Sequence, residues 1–332
     1  MFEEVISLEN LFNAWREFKR GKMNKSDVRL FSLNIEENIF LLHEQLQNDD
    51  WHHQVYQPFL VSDPKLRLIH KASVSDRIIH RALVRVIEPY FEKVMVPHSW
   101  SCRKGKGVLA SVNNVHRQLE NISRHGTKKV WVLHGDIRKY FASIDHDILL
   151  SIITKYISDS KVINLIKIVI NSHEVGLPLG NSTSQLFANL YATSIDRFIL
   201  ENILPQGHAR YCDDFLLIDC DYDRLSNSIN RIKLMLEIVL KLQLHPSKTN
   251  ITPYNHGIDW LGVRLFPGGG RRIRRVSSRR ALRQIHNTVK GVLSGMVSDD
   301  HWRAISASYY GVFKRSFCSK EQESILLLQK II

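Results

Sequence analysis

Cysteine is scarce in this chain. Only Cys102, Cys212, Cys220 and Cys318 occur among 332 residues, widely separated and never as CxxC. That spacing offers no zinc knuckle and no disulfide framework, so a reduced, cytoplasmic protein is the simplest expectation. No apolar run reaches the roughly 18 residues that a membrane-spanning helix needs, and no membrane partner is expected. The opening Met1-Phe2-Glu3-Glu4 carries acids and no apolar leader, which argues against secretion. Repeats, low-complexity tracts and long linkers are lacking too. The length suits two or three subdomains around a shared core.

Positive charge is abundant. The formal net charge is +13 and the isoelectric point near 9.6, while hydrophobic content (44%) and charged content (24%) are ordinary for a globular protein. Such an excess favours a polyanionic partner, most often nucleic acid. Residues 271–283, RRIRRVSSRRALR, hold seven arginines. A cluster that dense marks contact with backbone phosphates. The alternative is a solvated loop beside Gly268-Gly269-Gly270.

Along the chain, residues 7–48 read as helical. Residues 56–70 suggest a hairpin around Asp63-Pro64-Lys65. Ile78, Ile79, Leu83, Val86, Ile87 and Tyr90 fall at helical spacing within 77–95. Val130-Trp131-Val132-Leu133 is a buried strand running into Gly135-Asp136. Helices are expected over 146–157, 161–171 and 184–202. A hairpin follows at 208–219, then a helix at 222–242, a strand at 258–266 and a basic helical remainder. That order suits an α+β fold in which helices back an antiparallel sheet of the split βαβ type. His52-His53 reads as a pair of surface histidines, because no second ligand set has metal-binding spacing. Asp145, ahead of His146 and Asp147, reads as a helix cap.

Asp213 and Asp214 stand side by side between apolar stretches. Adjacent carboxylates repel, so such a pair calls for a neutralising cation. At a hairpin tip they would aim oxygens at one point, the ligand type that magnesium takes. A chance surface turn is the alternative. Asp136 ends the preceding strand, and neighbouring strands of one sheet would gather all three carboxylates. Three carboxylates on a rigid sheet suit two magnesium ions about 4 Å apart and in-line phosphoryl transfer.

The motifs around these residues resemble those of reverse transcriptases. Gly135-Asp136-Ile137-Arg138-Lys139-Tyr140-Phe141 is similar to motif A, and Tyr211-Cys212-Asp213-Asp214 to the YxDD of motif C. Motif B is matched by residues 176–189, beginning Gly176-Leu177-Pro178-Leu179-Gly180. Leu244-His245-Pro246-Ser247-Lys248-Thr249 is similar to motif D, and Trp260-Leu261-Gly262 to the primer grip. The resemblance implies a right-hand polymerase. Fingers would run from 1 to 135 and a palm from 136 to 266, with part of the fingers at about 150–185. A basic helical thumb would cover 267–332.

The same resemblance implies residue roles. Asp136, Asp213, Asp214 and the main chain of Ile137 would hold two Mg2+ ions, with Mn2+ as a substitute. Ile137 and Phe141 would border the nucleotide, the ring of Phe141 excluding a 2′-hydroxyl; alone, Phe141 also reads as a core aromatic. Lys248 would protonate the leaving pyrophosphate, its alternative being a surface lysine. Lys65, Arg67, Arg77 and Arg103 would face the triphosphate, although Arg77 could instead pair with a neighbouring acid. Gly180 and Gln185 would lie beneath the nascent pair. Tyr211, Leu261, Gly262, Arg271, Arg272, Arg274 and Arg275 would hold template and primer.

Motif B lacks Pro-Gln-Gly; Leu179-Gly180 comes first and Ser184-Gln185 follows. This form resembles the enzymes of diversity-generating retroelements, and the resemblance covers nearly the whole chain. It implies an RNA template, possibly a locus-encoded noncoding RNA, with dNTPs, a DNA product and a small basic accessory protein or second polymerase subunit. Cys212 departs from that family's usual methionine. Related motif-B forms occur in phage-defence reverse transcriptases, which leaves that reading open, as it does an RNA-binding scaffold or maturase.

Overall fold

The computed structural model describes residues 1–62, 66–273, 275–298, 300, 302, 303, 305–307 and 309. Lys65 and Arg274, expected at the nucleotide and at the template–primer, lie outside the described residues, as does the Arg275 side chain and the end of the expected thumb.

The helical start resolves into α1 (Phe2–Ile6), α2 (Leu8–Phe18), α3 (Ser26–Leu33) and α4 (Ile35–Gln47). Strands β1 (Gln57–Ser62) and β2 (Leu66–Lys71) pair antiparallel as the expected hairpin. Helix α5 (Val74–Glu92) begins at a Ser73 cap, whose hydroxyl accepts from the Asp76 N–H. Next come α6 (Val108–Ser123), β3 (Trp131–Asp136), α7 (His146–Ile153), α8 (Ser160–Asn171) and α9 (Ser182–Phe198). Asp145 caps α7, accepting from the Ile148 N–H at 3.0 Å.

The hairpin β4 (Gly207–Tyr211) and β5 (Asp214–Asp219) follows, then α10 (Tyr222–Val239) and β6 (Asn250–Pro253). The last elements are β7 (Ile258–Trp260), β8 (Val263–Leu265), β9 (Arg271–Ile273) and α11 (Arg275–Leu293).

The central sheet has the order β4-β5-β3-β6, antiparallel throughout. Both of its faces are covered. Leu133, Phe215 and Leu217 join the core built by the N-terminal helices, α5 and α7–α10. Val132, Leu216 and Ile218 instead meet Val112, Val115 and Leu119 of α6, with Trp260 and Leu265. Burial on both faces explains the unbroken apolar run Phe215–Ile218. Gly135 is required by the same packing: a Cβ there would stand 2.2 Å from Phe215 Cζ.

Three expectations are corrected. The strand over 258–266 is a hairpin, because Leu261 and Gly262 both take positive φ (46° and 86°), the two-residue turn that right-twisted strands favour. Arg271–Ile273 is a third strand on that hairpin, not helix, and pairs with Val263–Leu265. His53 is not a surface residue: its side chain is 2% exposed and its ring stacks on His80 at 5.1 Å. No described helix is long and apolar enough to cross a membrane.

Candidate active site

The register of β3 and β5 sets Asp136 directly opposite Asp214. Asp213 occupies the turn just before, and its carbonyl accepts from the Ile137 N–H at 3.2 Å. The three acids therefore meet where two paired strands end. The flanking strands are held from inside by the two cores, so the carboxylates rest on a rigid rim. Beyond β3 the chain is tied to the next segment, with the His245 N–H donating to the Asp136 carbonyl at 2.7 Å and the Arg138 N–H to Gln243 at 2.8 Å. These bonds bring Lys248 in: its Nζ lies 2.6 Å from Asp136 Oδ2.

Crowding shows in the acidities. Burial, then the charges of Asp214 and Asp136, push the Asp213 carboxyl up to about 6. Burial alone would also raise Asp214. The His134 ring, 3.5 Å away, and hydrogen bonding with Asp136 outweigh it and hold Asp214 below the usual carboxylate range.

Hard oxygen donors around an under-compensated negative charge fit a divalent cation. Asp136, Asp213, Asp214 and the Ile137 carbonyl are the groups that would hold it. Among the described residues no set of three or more His, Cys, Asp or Glu side chains stands ready-made as a metal site; Lys248 and His134 each attend one carboxylate.

Phe141 is half-buried beside Tyr140, and its carbonyl accepts from the Leu177 N–H at 2.7 Å, which joins it to the 176–180 loop. In that loop the Leu179 carbonyl accepts from the His70 N–H of β2 at 3.2 Å, and Gly180 (φ 115°) lies under Ile69. Gln185 is exposed in the first turn of α9. Arg67 projects into solvent from β2.

Arg77 shows the acid pairing given as its alternative, and Arg103 is engaged within the protein. Arg77 pairs with Asp27 at 2.8 Å and lies over the Phe18 ring. Arg103 grips Glu92 and donates to the carbonyls of Val96 and Ser99, so its guanidinium is occupied by its own surroundings. Tyr211 is half-buried, and Leu261-Gly262 forms the turn already described. Arg271 is bound to α6 through His116 (2.6 Å) and Asn113. Arg272 is exposed, opposite Arg264 on the neighbouring strand, and both guanidinia lie against Phe266.

Several residues were missed by sequence reasoning. Arg264 is one; its signal was the alternating Val263-Arg264-Leu265. A largely basic hollow of about 870 Å³ was missed as well; Arg20, Lys22, Arg77, Arg81, Arg85 and Lys104 line it with Glu17 and Glu88, and Glu17 pairs with Arg81 and Arg85. Burial, and then Arg77 and Arg81, depress the Lys22 ammonium, a sign of crowded positive charge. Single cations scattered over 85 positions give no linear signal.

A family model described as reverse transcriptase (RNA-dependent DNA polymerase) matches residues 62–265, more than half of the chain. Protein YkfC of Escherichia coli is 27% identical over 255 residues, covering 64% of this chain and 66% of YkfC. The group II intron-encoded protein LtrA of Lactococcus lactis is 28% identical over 183 residues, covering 52% of this chain and 29% of LtrA. The chain thus spans less than two thirds of these relatives. Apo telomerase from Candida tropicalis superposes with a TM-score of 0.56 at 10% identity, covering 84% of this chain and 62% of that one. Telomerase from Candida albicans, in complex with a fragment of telomeric RNA, gives 0.51 at 11% identity, covering 84% and 60%. The right-hand polymerase architecture is shared at that level.

Proposed function

Because this chain belongs to the reverse transcriptase (RNA-dependent DNA polymerase) family, we propose that it extends a 3′-hydroxyl with deoxynucleotides on an RNA template and releases pyrophosphate. The observation that carries this reading is the Asp136–Asp214 register with Asp213 at the adjoining turn. Asp136, Asp213 and Asp214, with the Ile137 carbonyl, would hold two magnesium ions. When bound, these ions supply activation of the attacking hydroxyl and charge relief for the leaving pyrophosphate.

The chain's own residues do the rest. The rigid strand ends fix the carboxylates before substrate arrives. Phe141 borders the sugar, and Leu177 fixes its backbone. Lys248 carries the proton for pyrophosphate. Arg67, with Lys65, meets the triphosphate, and Gly180 and Gln185 lie at the pair. Template and primer are held by Tyr211, the Leu261-Gly262 turn, Arg264 and Arg272. The hollow lined by Arg20, Lys22 and Lys104 supports passage of an RNA backbone. Fingers extend over 1–135 with about 150–185, palm over 136–266 and thumb over 267–332. The protein works in the cytoplasm.

Leu179-Gly180 with Ser184-Gln185 supports the diversity-generating type, acting on a locus-encoded RNA with an accessory protein. The test is to replace Asp213 and Asp214 by alanine and to sequence the RNA and DNA that co-purify with the wild-type protein. Loss of extension with RNA binding kept supports the enzyme. DNA copied from a locus repeat supports the retroelement type. DNA made on a structured noncoding RNA points to phage defence, and bound RNA without DNA to a scaffold or maturase.

A further inference from the structure

Cys212 takes the left-handed backbone conformation at φ 58°. A side chain other than glycine resists it, and it persists only where the surroundings over-determine it. Both polar backbone groups of Cys212 are pinned. Its N–H donates to Ser101 Oγ at 3.1 Å, and its carbonyl accepts from Arg210 Nη1 at 3.1 Å.

The direction of the first bond is fixed from behind. Ser101 has one hydroxyl hydrogen and donates it to Asn189 Oδ1 at 2.7 Å. Its oxygen is then the acceptor for Cys212. Asn189 Nδ2 returns a bond to the Ser101 carbonyl at 2.7 Å. Arg210 is clamped by Asp196 at 2.7 Å and donates to Ser99 Oγ at 2.8 Å. Ser99, Ser101, Asn189, Asp196 and Arg210 are all buried. Burial shields these bonds from bulk solvent, so losing one leaves a buried polar group without its partner.

We propose that Ser101 is a positioning residue for the reaction: its hydroxyl couples α9, whose first turn carries Gln185, to the turn that carries Asp213. The position of the Asp213 carboxylate is set through this bond. The inference rests on Asp213 acting as a metal ligand. It gives Ser101 the task of supporting the carboxylate turn, while Arg103 is held by Glu92 and by the Val96 and Ser99 carbonyls.

Ser101→Ala removes one buried oxygen and little volume. We expect kcat to fall roughly tenfold or more, as a small displacement of a reacting group does. The Mg2+ concentration for half-maximal rate should rise, while KM for dNTP and template–primer affinity stay unchanged. Ser101→Thr keeps the hydroxyl and should restore most of the rate. Adding Cys212→Gly to Ser101→Ala should also recover rate, since glycine holds a positive φ without the pin. A variant that loses only melting temperature, with kcat and metal dependence as in the wild type, overturns the proposal. So does a Thr variant as slow as Ala together with no recovery from Cys212→Gly. If Ser101→Ala does not fold, the Thr and double variants read the same outcomes. Independently, an Asp213→Ala protein that still extends DNA would defeat the metal-ligand reading itself.

Discussion

Lys248 Nζ stands 2.6 Å from Asp136 Oδ2, so the carboxylate that ends β3 is met by a cation of the chain's own. A metal ion bound to Asp136 would compete with this ammonium for one oxygen. Lys248→Met should therefore tighten Mg2+ binding while slowing chemistry about 10²-fold or more, the usual range for losing a general acid. Magnesium titration followed by calorimetry and single-turnover extension measure the two effects. An unaltered single-turnover rate would take Lys248 out of proton transfer.

Asp213 supplies a pH signature. Its carboxyl is pushed up to about 6 by burial and by Asp214 and Asp136, above the unfolded value of about 3.9. The folded state therefore binds the proton more tightly. That contribution to stability is complete below about pH 4 and is lost as pH rises through 6. In chelator at pH 8, Asp213→Asn should be more stable than wild type by on the order of 1–2 kcal/mol after solvent screening. Magnesium should stabilise wild type and not the variant. Thermal unfolding with and without chelator reads both.

Phe141→Ala should admit ribonucleotides, raising their incorporation by roughly tenfold or more if the ring meets the 2′-hydroxyl, a contact worth a few kcal/mol. Competition between dNTP and rNTP on one template measures this. Unchanged sugar selectivity would assign the ring to packing against Tyr140.

Arg264 and Arg272 face each other across β8 and β9; Arg264 is partly engaged by Asp259 at 3.9 Å and by the His256 carbonyl at 3.0 Å, which leaves exposed Arg272 the freer partner for a phosphate. Replacing both with glutamine should weaken template–primer binding and reduce the salt slope by about one for each phosphate no longer neutralised. Arg271→Ala should instead lower the melting temperature, since its guanidinium is bound to His116 and Asn113 on α6. A flat salt response in the double variant would place that face in solvent.

Much of the candidate site is legible in the sequence. Asp136, Asp213 and Asp214 stood out because apolar strands flank them and side-chain alternation leaves few places for such acids. The β1–β2 hairpin and the Asp145 cap followed from local turn and cap chemistry. What escaped was set by partners far along the chain. Helix α6, with Ser111, Asn113 and Asn114 among its residues, carries a weak pattern and gains its burial from Trp260 and the sheet. Arg271–Ile273 reads as helix by composition and becomes a strand only because Val263–Leu265 offers an edge. Arg103 resembles a ligand-facing cation until Glu92, 11 positions earlier, is seen to hold it.

The sheet that bears the carboxylates is covered on both faces, and this separates two kinds of heritable change. A substitution at Leu216 or Ile218 reaches no substrate; it lowers how many molecules are folded and leaves the product of each molecule as it was. On the proposed roles, a substitution at Lys248 on the open rim would alter synthesis at little cost in abundance, whereas one at Gly180 (φ 115°, beneath Ile69) or at half-buried Phe141 would alter both. On that reading, selection on yield would fall on the strands and selection on copying behaviour would fall mainly on the rim.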